Sequence, residues 1–182
     1  MTSNTPYHPR LDTERLALRP LAAQDAEALL AIFSDPQVMQ YWNTAPWTSM
    51  ADAHAFIADS VLANERQESL TLGIYEKSSG HLAGKCMLFN HDKGSRRAEI
   101  GFGLGRPHWG KGYINEAGRA LIAHGFQTLK LRRIEAEIDP DNHASAKALE
   151  RLGFVQEGLL RQRWEINGVV SDSALYGLLV GG

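Results

Sequence analysis

The chain has 182 residues, of which 43% are hydrophobic and 22% are charged, and its formal net charge is −2. This composition is that of a globular protein with one substantial core. The near-neutral charge gives no basic surface of the kind that binds nucleic acid. We therefore expect one domain over residues 1–182, with residues 1–12 loosely ordered and no nucleic-acid partner.

Two further features bear on the compartment. No segment approaches the ~20 consecutive apolar residues that span a bilayer, so the sequence predicts no membrane partner. The sole cysteine, Cys86, excludes an internal disulfide and is typical of a reducing compartment. We expect a cytoplasmic protein.

The first half of the chain alternates between strand and helix patterns. Leu16 and Leu18 alternate with residues of the opposite face, as in a half-buried strand. The apolar spacing predicts, in order, strand 14–20, helix 22–34, helix 50–64, and strands 69–76, 81–89 and 97–104. The segment 35–47 is broken by two prolines and is predicted to be irregular.

The second half begins with a helix over 114–129 and a short strand over 133–138. This strand–helix–strand order indicates a parallel, right-handed crossover. Asp141 or Asn142 can cap the next helix, and Gly153 can end it. The Asn167-Gly168 turn then predicts a hairpin of strands 154–166 and 169–179. The fold class is α/β: a mixed sheet with a parallel pair in its middle and helices on both faces.

Residues 106–113 connect the strand 97–104 to the helix that follows it. Gly110 and Gly112 punctuate this turn, and a helix N-terminus presents unpaired N–H groups and a partial positive charge. Lys111 lies beside these N–H groups and adds a full positive charge. The turn, the helix N-terminus and Lys111 together predict a site for a phosphate or pyrophosphate. An ordinary turn, whose glycines only relieve strain, is the structural alternative. A nucleotide-hydrolysing P-loop is a second alternative, but Gly112 replaces the Ser or Thr that binds Mg²⁺.

Several linked motifs resemble those of a known family. They are Glu99-Ile100-Gly101-Phe102-Gly103-Leu104, Trp109-Gly110-Lys111-Gly112-Tyr113, Asn142-x-x-Ser145 and Leu152-Gly153-Phe154. Together they resemble the GNAT superfamily of acetyl-CoA-dependent N-acetyltransferases, and within it the branch of ribosomal-protein N-terminal acetyltransferases. One position departs from the pattern: Pro107 stands where the family usually has Gln or Arg, and Arg106 is one place early.

The resemblance implies a mostly antiparallel sheet whose one parallel pair splays apart to hold acetyl-CoA. The pantetheine arm is then expected to bond to the backbone of Phe102, Gly103 and Leu104. The pyrophosphate is expected in a cradle formed by Arg106, Trp109, Gly110, Lys111, Gly112, Tyr113, Ile114 and Asn115. The resemblance also gives Asn142 a contact with pantetheine, although simple helix capping explains that residue as well.

The catalytic candidates are Glu99 and Ser145. Glu99 is the expected general base, acting through water, with a solvated or salt-bridged carboxylate as the alternative. The resemblance implies that Ser145 can bond the departing sulfur. Cys86 lies in an apolar strand without a neighbouring base and is expected to be a buried structural thiol. The histidines show no metal-ligand spacing, so no metal is expected.

The acceptor is expected to be a primary amine. Aromatic residues that can line its slot, or belong to the core, are Tyr41, Trp42, Trp47 and Trp164. An α-amine has a pKa of ~7.7 and is easier to deprotonate than a lysine at ~10.4. Strongly cationic acceptors usually require an acidic slot, and the segment 35–47 has no acidic cluster. A protein N-terminus is therefore favoured over a polyamine, amino acid or aminoglycoside. A non-catalytic acyl-CoA-binding protein is the alternative outside enzymes, and the chain is expected to be a monomer or homodimer.

Overall fold

The structure, a computed structural model that describes residues 9–182, is centred on an eight-stranded mixed sheet. Its strands are β1 (Leu11–Asp12), β2 (Leu16–Arg19), β3 (Leu70–Glu76), β4 (Leu82–Asp92), β5 (Arg97–Leu104), β6 (Arg133–Ile138), β7 (Val155–Ile166) and β8 (Val169–Leu179). The order across the sheet is β1-β2-β3-β4-β5-β6-β8-β7. All neighbours are antiparallel except β5 and β6. The predicted mixed sheet with a central parallel pair is confirmed.

Five helices pack on the two faces of this sheet. They are α1 (Ala26–Phe33), α2 (Pro36–Met39), α3 (Met50–Glu65), α4 (Tyr113–Gln127) and α5 (His143–Arg151). The prediction that residues 35–47 are irregular was wrong for α2. Asp35 accepts a hydrogen bond from Gln37 N at 2.9 Å, and Pro36 occupies the first turn, where its missing N–H has no cost.

Each face of the sheet has its own apolar cluster. On one face, α4 and α5 pack against the strands through residues such as Leu121 and Leu149. On the other, α1, α2 and α3 pack through residues such as Leu29, Val38 and Ile57. Full burial of one such side chain stabilises the fold by about 1.5–3 kcal/mol. The sheet is thus packed between helices on both faces, as predicted.

The N-terminal segment only partly tests the expected loose order of residues 1–12. Residues 1–8 lie outside the described residues. Leu11 and Asp12 pair with Leu18 and Ala17 as the edge strand β1, so the expectation was wrong for these two residues. In the part of the chain described, no helix has the length and apolarity required to cross a membrane.

The C-terminal hairpin forms as its turn residues predict. Asn167 and Gly168 have φ values of 52° and 79°, which is the left-handed pair of a type I′ turn. The register of β7 on β8 shifts between Leu160 and Trp164. At this bulge Gln162 N donates to Asp172 Oδ1 at 2.8 Å. A bulge bends its strand and turns the next side chain, here Trp164.

Candidate active site

The parallel strands β5 and β6 separate after three residue pairs. Their pairing runs only from Arg97 with Arg133 to Glu99 with Glu135. Beyond Glu99, β5 continues to Leu104 and pairs only with β4. One edge of Ile100–Leu104 therefore faces a gap in the sheet with backbone groups that no strand pairs. Such groups need hydrogen-bond partners, so the gap suits an extended ligand that carries amides.

The loop after β5 is shaped by two glycines. A tight turn over Arg106–His108 leads to Gly110 and Gly112, whose φ values are 72° and 78°. This left-handed conformation is freely accessible only to glycine. Gly112 is also the N-cap of α4 and has no side chain to satisfy the first N–H groups of that helix. A Cβ atom on Gly110 would meet nothing within 4 Å, so the space in front of the turn is open.

The loop is fastened to the body of the protein by hydrogen bonds from two sides. Trp109 Nε1 donates to Leu104 O at 2.9 Å, although its ring is half exposed. Arg15 Nη1 donates to Lys111 O at 2.8 Å, and Arg15 Nε lies 2.7 Å from Glu116 Oε2. The loop and the first turn of α4 are thereby fixed to the start of β2.

Glu76, at the end of β3, is a third anchor that the sequence did not reveal. Its Oε1 accepts from Tyr113 Oη at 2.7 Å and lies 3.1 Å from His108 Nδ1 and 3.5 Å from Lys111 Nζ. The hydrogen bond from Tyr113 is the main reason that the pKa of Glu76 is lowered to about 2. Tyr113 and Lys111 thus meet a carboxylate of the chain itself.

Arg106 also has a partner within the chain. Its Nε lies 2.5 Å from Asp35 Oδ2, and this hydrogen bond lowers the pKa of Asp35. A phosphate contact by the side chains of Arg106 or Lys111 stays a prediction, and it requires each side chain to exchange its ion pair for the new contact. The backbone of the loop needs no such exchange.

Asn115, in the first turn of α4, provides a test of whether the cradle fits a ligand. Its Oδ1 is buried and has no hydrogen-bond donor among residues 9–182. A buried acceptor without a donor costs about 1–3 kcal/mol. A ligand that brings an N–H or O–H group to this position would relieve that cost. The orphaned oxygen, the open space at Gly110 and the unpaired edge of β5 fit an amide-containing phosphorylated ligand.

The face of β5 that holds Gly101 and Gly103 carries few side chains of its own, but side chains of other elements cover it, so the expectation that a ligand can approach the strand from this face was wrong. Gly101 and Gly103 follow Glu99 on this face, and a Cβ at Gly103 would come within 3.0 Å of the rings of Phe33 and Trp42. The rings therefore cover the strand closely. Glu99, at the paired start of β5, accepts from Asn90 Nδ2 at 2.9 Å and is partly exposed.

Lys85 is buried on the same face and was not predicted. It pairs with Gly103 across β4 and β5, and its side chain is 4% exposed. Its Nζ lies 4.0 Å from the ring centroid of Phe56, 4.8 Å from that of Phe33 and 5.0 Å from that of Trp42. Burial lowers the pKa of Lys85 to about 7. The available signal was a single charge within the apolar run 82–89.

The carboxylates of β6 on this face are already paired. Glu135 lies 3.1 Å from Arg97 Nη1 and 2.7 Å from Arg133 Nε. Glu137 Oε1 accepts from Trp164 Nε1 at 2.8 Å and from Ser173 Oγ at 2.7 Å. The bulge in β7 thus brings Trp164 to the end of β6, next to the gap.

The helix after β6 starts at the other side of the gap. Asn142 Oδ1 accepts from Ser145 N at 3.1 Å, which confirms Asn142 as the N-cap of α5. The Ser145 hydroxyl forms no hydrogen bond within the described chain, and the residue is partly exposed. Both α4 and α5 therefore begin where the two parallel strands end.

The remaining candidates divide between core and surface. Trp47 packs with Phe33 and Phe56 at centroid distances of 5.1 and 5.3 Å, whereas Tyr41 is 37% exposed. Cys86 is fully buried, and burial raises the pKa of its thiol to about 12. No cluster of three or more His, Cys, Asp or Glu side chains within residues 9–182 could hold a metal ion.

Comparison with known proteins identifies the family. The model of the acetyltransferase (GNAT) domain matches residues 15–155. The uncharacterized N-acetyltransferase p20 of Bacillus licheniformis is 39% identical over 169 residues, which cover 93% of this chain and 95% of that protein. A crystal structure of a GNAT-family acetyltransferase from Bacillus anthracis superposes with a TM-score of 0.85 at 26% identity, covering 96% of this chain and all of that one.

Two more distant relatives have names that specify different acceptors. The ribosomal-protein-serine acetyltransferase of Escherichia coli is 30% identical, over 72% of this chain and 73% of its own length. The spermidine N(1)-acetyltransferase of the same organism is 25% identical, over 83% and 78%. The domain match and the similarity along nearly the whole chain leave the P-loop alternative without support. This chain belongs to the GNAT family and is an acetyl-CoA-dependent N-acetyltransferase.

Proposed function

We propose that the chain transfers an acetyl group to the α-amine of a peptide or protein N-terminus. The observation that carries this proposal is the charge of the face where the acceptor must approach. Glu135 and Glu137 are paired with arginine, indole and hydroxyl donors, and Lys85 adds a buried amine nearby. A polycationic acceptor would find no unpaired carboxylate on β6. A weakly charged α-amine does not need one.

The donor is proposed to lie in the gap between β5 and β6, with its pyrophosphate at the turn of Gly110 and Gly112. The unpaired edge of Ile100–Leu104 can exchange hydrogen bonds with the pantetheine amides. When bound, acetyl-CoA supplies a thioester whose carbonyl carbon is attacked by the nitrogen of the acceptor amine. A backbone N–H near Phe102 can stabilise the negative oxygen that develops, and one such donor is typically worth about 3 kcal/mol in barrier height.

Glu99 is proposed to receive the proton of the acceptor through water. At about 3.3 Å per residue, Glu99 lies ~7 Å along the strand from Gly101 and ~13 Å from Gly103. An amine near Gly103 is therefore beyond the reach of Glu99 through a single water, and the proposed proton path requires either an amine nearer to Gly101 or a chain of several waters. An α-amine of pKa ~7.7 is roughly one-sixth neutral at pH 7, so a weak base is sufficient.

Ser145 is proposed to donate a hydrogen bond to the leaving sulfur. Its hydroxyl is free of partners in the described residues and lies in the first turn of α5, at the end of β6. Trp164 and the exposed Tyr41 are proposed to border the acceptor slot, while Trp42 and Trp47 form its aromatic wall. The sole, buried Cys86 is consistent with the cytoplasm as the proposed compartment.

The test is an acceptor panel with purified protein and acetyl-CoA, in which release of free thiol is measured. Short peptides with free N-termini, the same peptides with blocked N-termini, spermidine and free amino acids form the panel. The proposal predicts release with free N-termini and none with blocked ones. Release with spermidine alone would overturn the proposed acceptor, and acetyl-CoA binding without release for any amine would indicate a binding protein.

A further inference from the structure

The side chain of Glu76 contacts the cradle loop at three places. We propose that Glu76 is a positioning residue for the donor, which fixes the turn of Gly110 and Gly112 in the shape that binds the diphosphate of acetyl-CoA. The proposal rests on the donor position proposed above. It assigns a role in donor affinity to a residue of β3, a strand that the proposed reaction does not otherwise use.

The three contacts lie before, between and after the two glycines of the turn. Glu76 Oε1 lies 3.1 Å from His108 Nδ1, ahead of the first glycine, and accepts from Tyr113 Oη at 2.7 Å, just after the second. Lys111 Nζ, between the glycines, lies 3.5 Å from the same oxygen. Glycine adopts left-handed and right-handed conformations about equally readily. The turn therefore does not fix its own shape, and contacts on both sides of it do so.

Glu76 is itself held firmly by the sheet. Its residue ends β3, pairs with Leu16 of β2, and its N–H donates to His81 O at 3.0 Å. Its second carboxylate oxygen, Oε2, accepts from Ser79 Oγ at 3.0 Å, which orients the carboxylate. A group on a strand is placed more accurately than one on a loop. The position of Glu76 in the sheet thus sets the position of the loop.

The three contacts differ in strength. The side chains of Glu76 and His108 are 13% and 15% exposed, and Tyr113 is buried. Hydrogen bonds to a carboxylate are roughly twice as strong as those between neutral groups. The side chain of Lys111 is 46% exposed, and ion pairs as exposed as this contribute little. Tyr113 and His108 therefore hold the loop, whereas Lys111 can leave Glu76 for a phosphate at little cost.

Tyr113 extends this restraint to the helix, because it is the first residue of α4. The guanidinium of Arg15 lies 4.9 Å from the centroid of its ring, and the ring of His108 stacks on it at 6.2 Å. The first N–H groups of a helix are its anion-binding groups. Without the Glu76 contact, the loop and these N–H groups would have to be ordered when the donor binds, which lowers affinity.

The experiment compares acetyl-CoA with S-acetylpantetheine, which has the same thioester and amides but no diphosphate. Their dissociation constants for wild type, Glu76→Ala and Glu76→Gln are measured by calorimetry at pH 7, with S-acetylpantetheine measured by competition against acetyl-CoA. Glu76→Ala should bind acetyl-CoA about tenfold or more weakly, because the hydrogen bonds to a charged group are lost. It should bind S-acetylpantetheine like wild type. Glu76→Gln keeps an oxygen that accepts from Tyr113 and should lose less.

Three results would overturn the proposal. The first is unchanged affinity of Glu76→Ala for acetyl-CoA. The second is an equal loss for both ligands, which would indicate a general effect on the fold. The third is an equal loss in the two variants, because hydrogen bonding by the side chain at position 76 would then not determine the affinity.

Asp52→Ala is the matched control. The Asp52 carboxylate accepts from Thr48 N and Ser49 N at 2.9 Å, at the start of α3, which packs on the face of the sheet opposite to α4. Its loss also removes hydrogen bonds to a carboxylate, so stability should fall while both dissociation constants stay at the wild-type values. A loss of acetyl-CoA affinity as large as that of Glu76→Ala would contradict a specific role for Glu76.

Tyr113→Phe provides a second route to the same contact, and it applies also if Glu76→Ala does not fold. It removes only the hydroxyl that donates to Glu76, and it should weaken binding of acetyl-CoA but not of S-acetylpantetheine. Added to Glu76→Ala, it should cause no further loss, because both substitutions remove one hydrogen bond. Wild-type affinity of Tyr113→Phe, or additive losses, would overturn the proposal.

Binding to wild type separates this proposal from the one on which it rests. Wild type that does not bind acetyl-CoA would overturn the proposed donor position and the role of Glu76 together. Normal binding of acetyl-CoA by wild type and by all Glu76 variants would overturn the role of Glu76 alone.

Discussion

Replacing Lys85 by methionine should stabilise the protein at pH 7. Methionine has a similar length, fills irregular apolar space and contains no charge. The substitution removes an ammonium that is 4% exposed and has only aromatic rings as partners within residues 9–182. Buried charges replaced by apolar residues of similar volume often yield more stable proteins.

The magnitude follows from the pKa of Lys85, which falls from 10.5 in the unfolded chain to about 7 in the fold. At about 1.4 kcal/mol for each pKa unit, the buried amine lowers stability at pH 7 by about 4 kcal/mol. The pKa in the fold already includes the attraction of the ammonium to the three rings, so no separate offset applies. The expected gain is about 4 kcal/mol, or a rise of about 10 °C in the unfolding midpoint for a chain of this size.

The pH dependence has a definite sign. Between pH 7 and 10.5 the unfolded chain binds more protons at Lys85 than the folded chain does. The destabilisation of wild type by this residue therefore decreases as the pH rises. The advantage of the variant should therefore shrink towards zero near pH 10.5. The difference between the two proteins isolates Lys85, because the other titrating groups, such as Cys86, are common to both.

The assay is urea unfolding of wild type and Lys85→Met at pH 7, 8, 9 and 10, with Lys93→Met as the control. Lys93 is exposed, so its substitution should change stability by less than about 0.5 kcal/mol at each pH. A variant that is destabilised at pH 7, with no trend in pH, would refute the reasoning. Such a result would mean that the fold favours the charged amine.

Three other predictions concern the cradle and the leaving sulfur. Gly110→Val should reduce affinity for acetyl-CoA at least about tenfold, measured by calorimetry. Gly80→Val, at a φ of 73° against 72° for Gly110 and equally open, should cause the same backbone strain with normal affinity, and equal loss in both would contradict the cradle. The Glu76 carboxylate contributes stability above pH 4.5 that wild type loses as the pH falls towards 2, and Glu76→Gln should lack this contribution. Acid unfolding curves of the variant and wild type that coincide would contradict this prediction. Ser145→Ala should lower kcat more than it changes the acetyl-CoA Kd, and a wild-type kcat would remove Ser145 from the mechanism.

The parts of the fold that the sequence predicted are those encoded locally. β5 and β6 were predicted with the bounds that the structure shows, since their apolar residues alternate with polar ones and flanking turns end them. The hairpin turn at Asn167-Gly168 and the cap at Asn142 are likewise properties of one to three residues. Local preference and final structure agree at these places.

The parts that it missed depend on residues far apart in the chain. The slot around Lys85 is built from Phe33, Trp42 and Phe56, which come from three separate segments. Glu76 meets partners more than 30 residues away. The spacing of residues within one segment does not predict these long-range contacts, because the contacts depend on how the helices pack on the sheet.

The three-pair contact between β5 and β6 has a consequence for the lifetime of the molecule. Within the sheet it joins a five-stranded part to a three-stranded part, and one further backbone hydrogen bond, from Arg132 N to Arg96 O, lies just before the two strands. Along the separated ends of β5 and β6, only a bound ligand can supply partners between the two strands. A guest that binds only the folded chain stabilises it by about 2.7 kcal/mol at 100 times its Kd. With acetyl-CoA bound in the gap as proposed, the coenzyme joins the two parts of the sheet, and we expect the protein without it to open more often and to be cleaved faster by proteases.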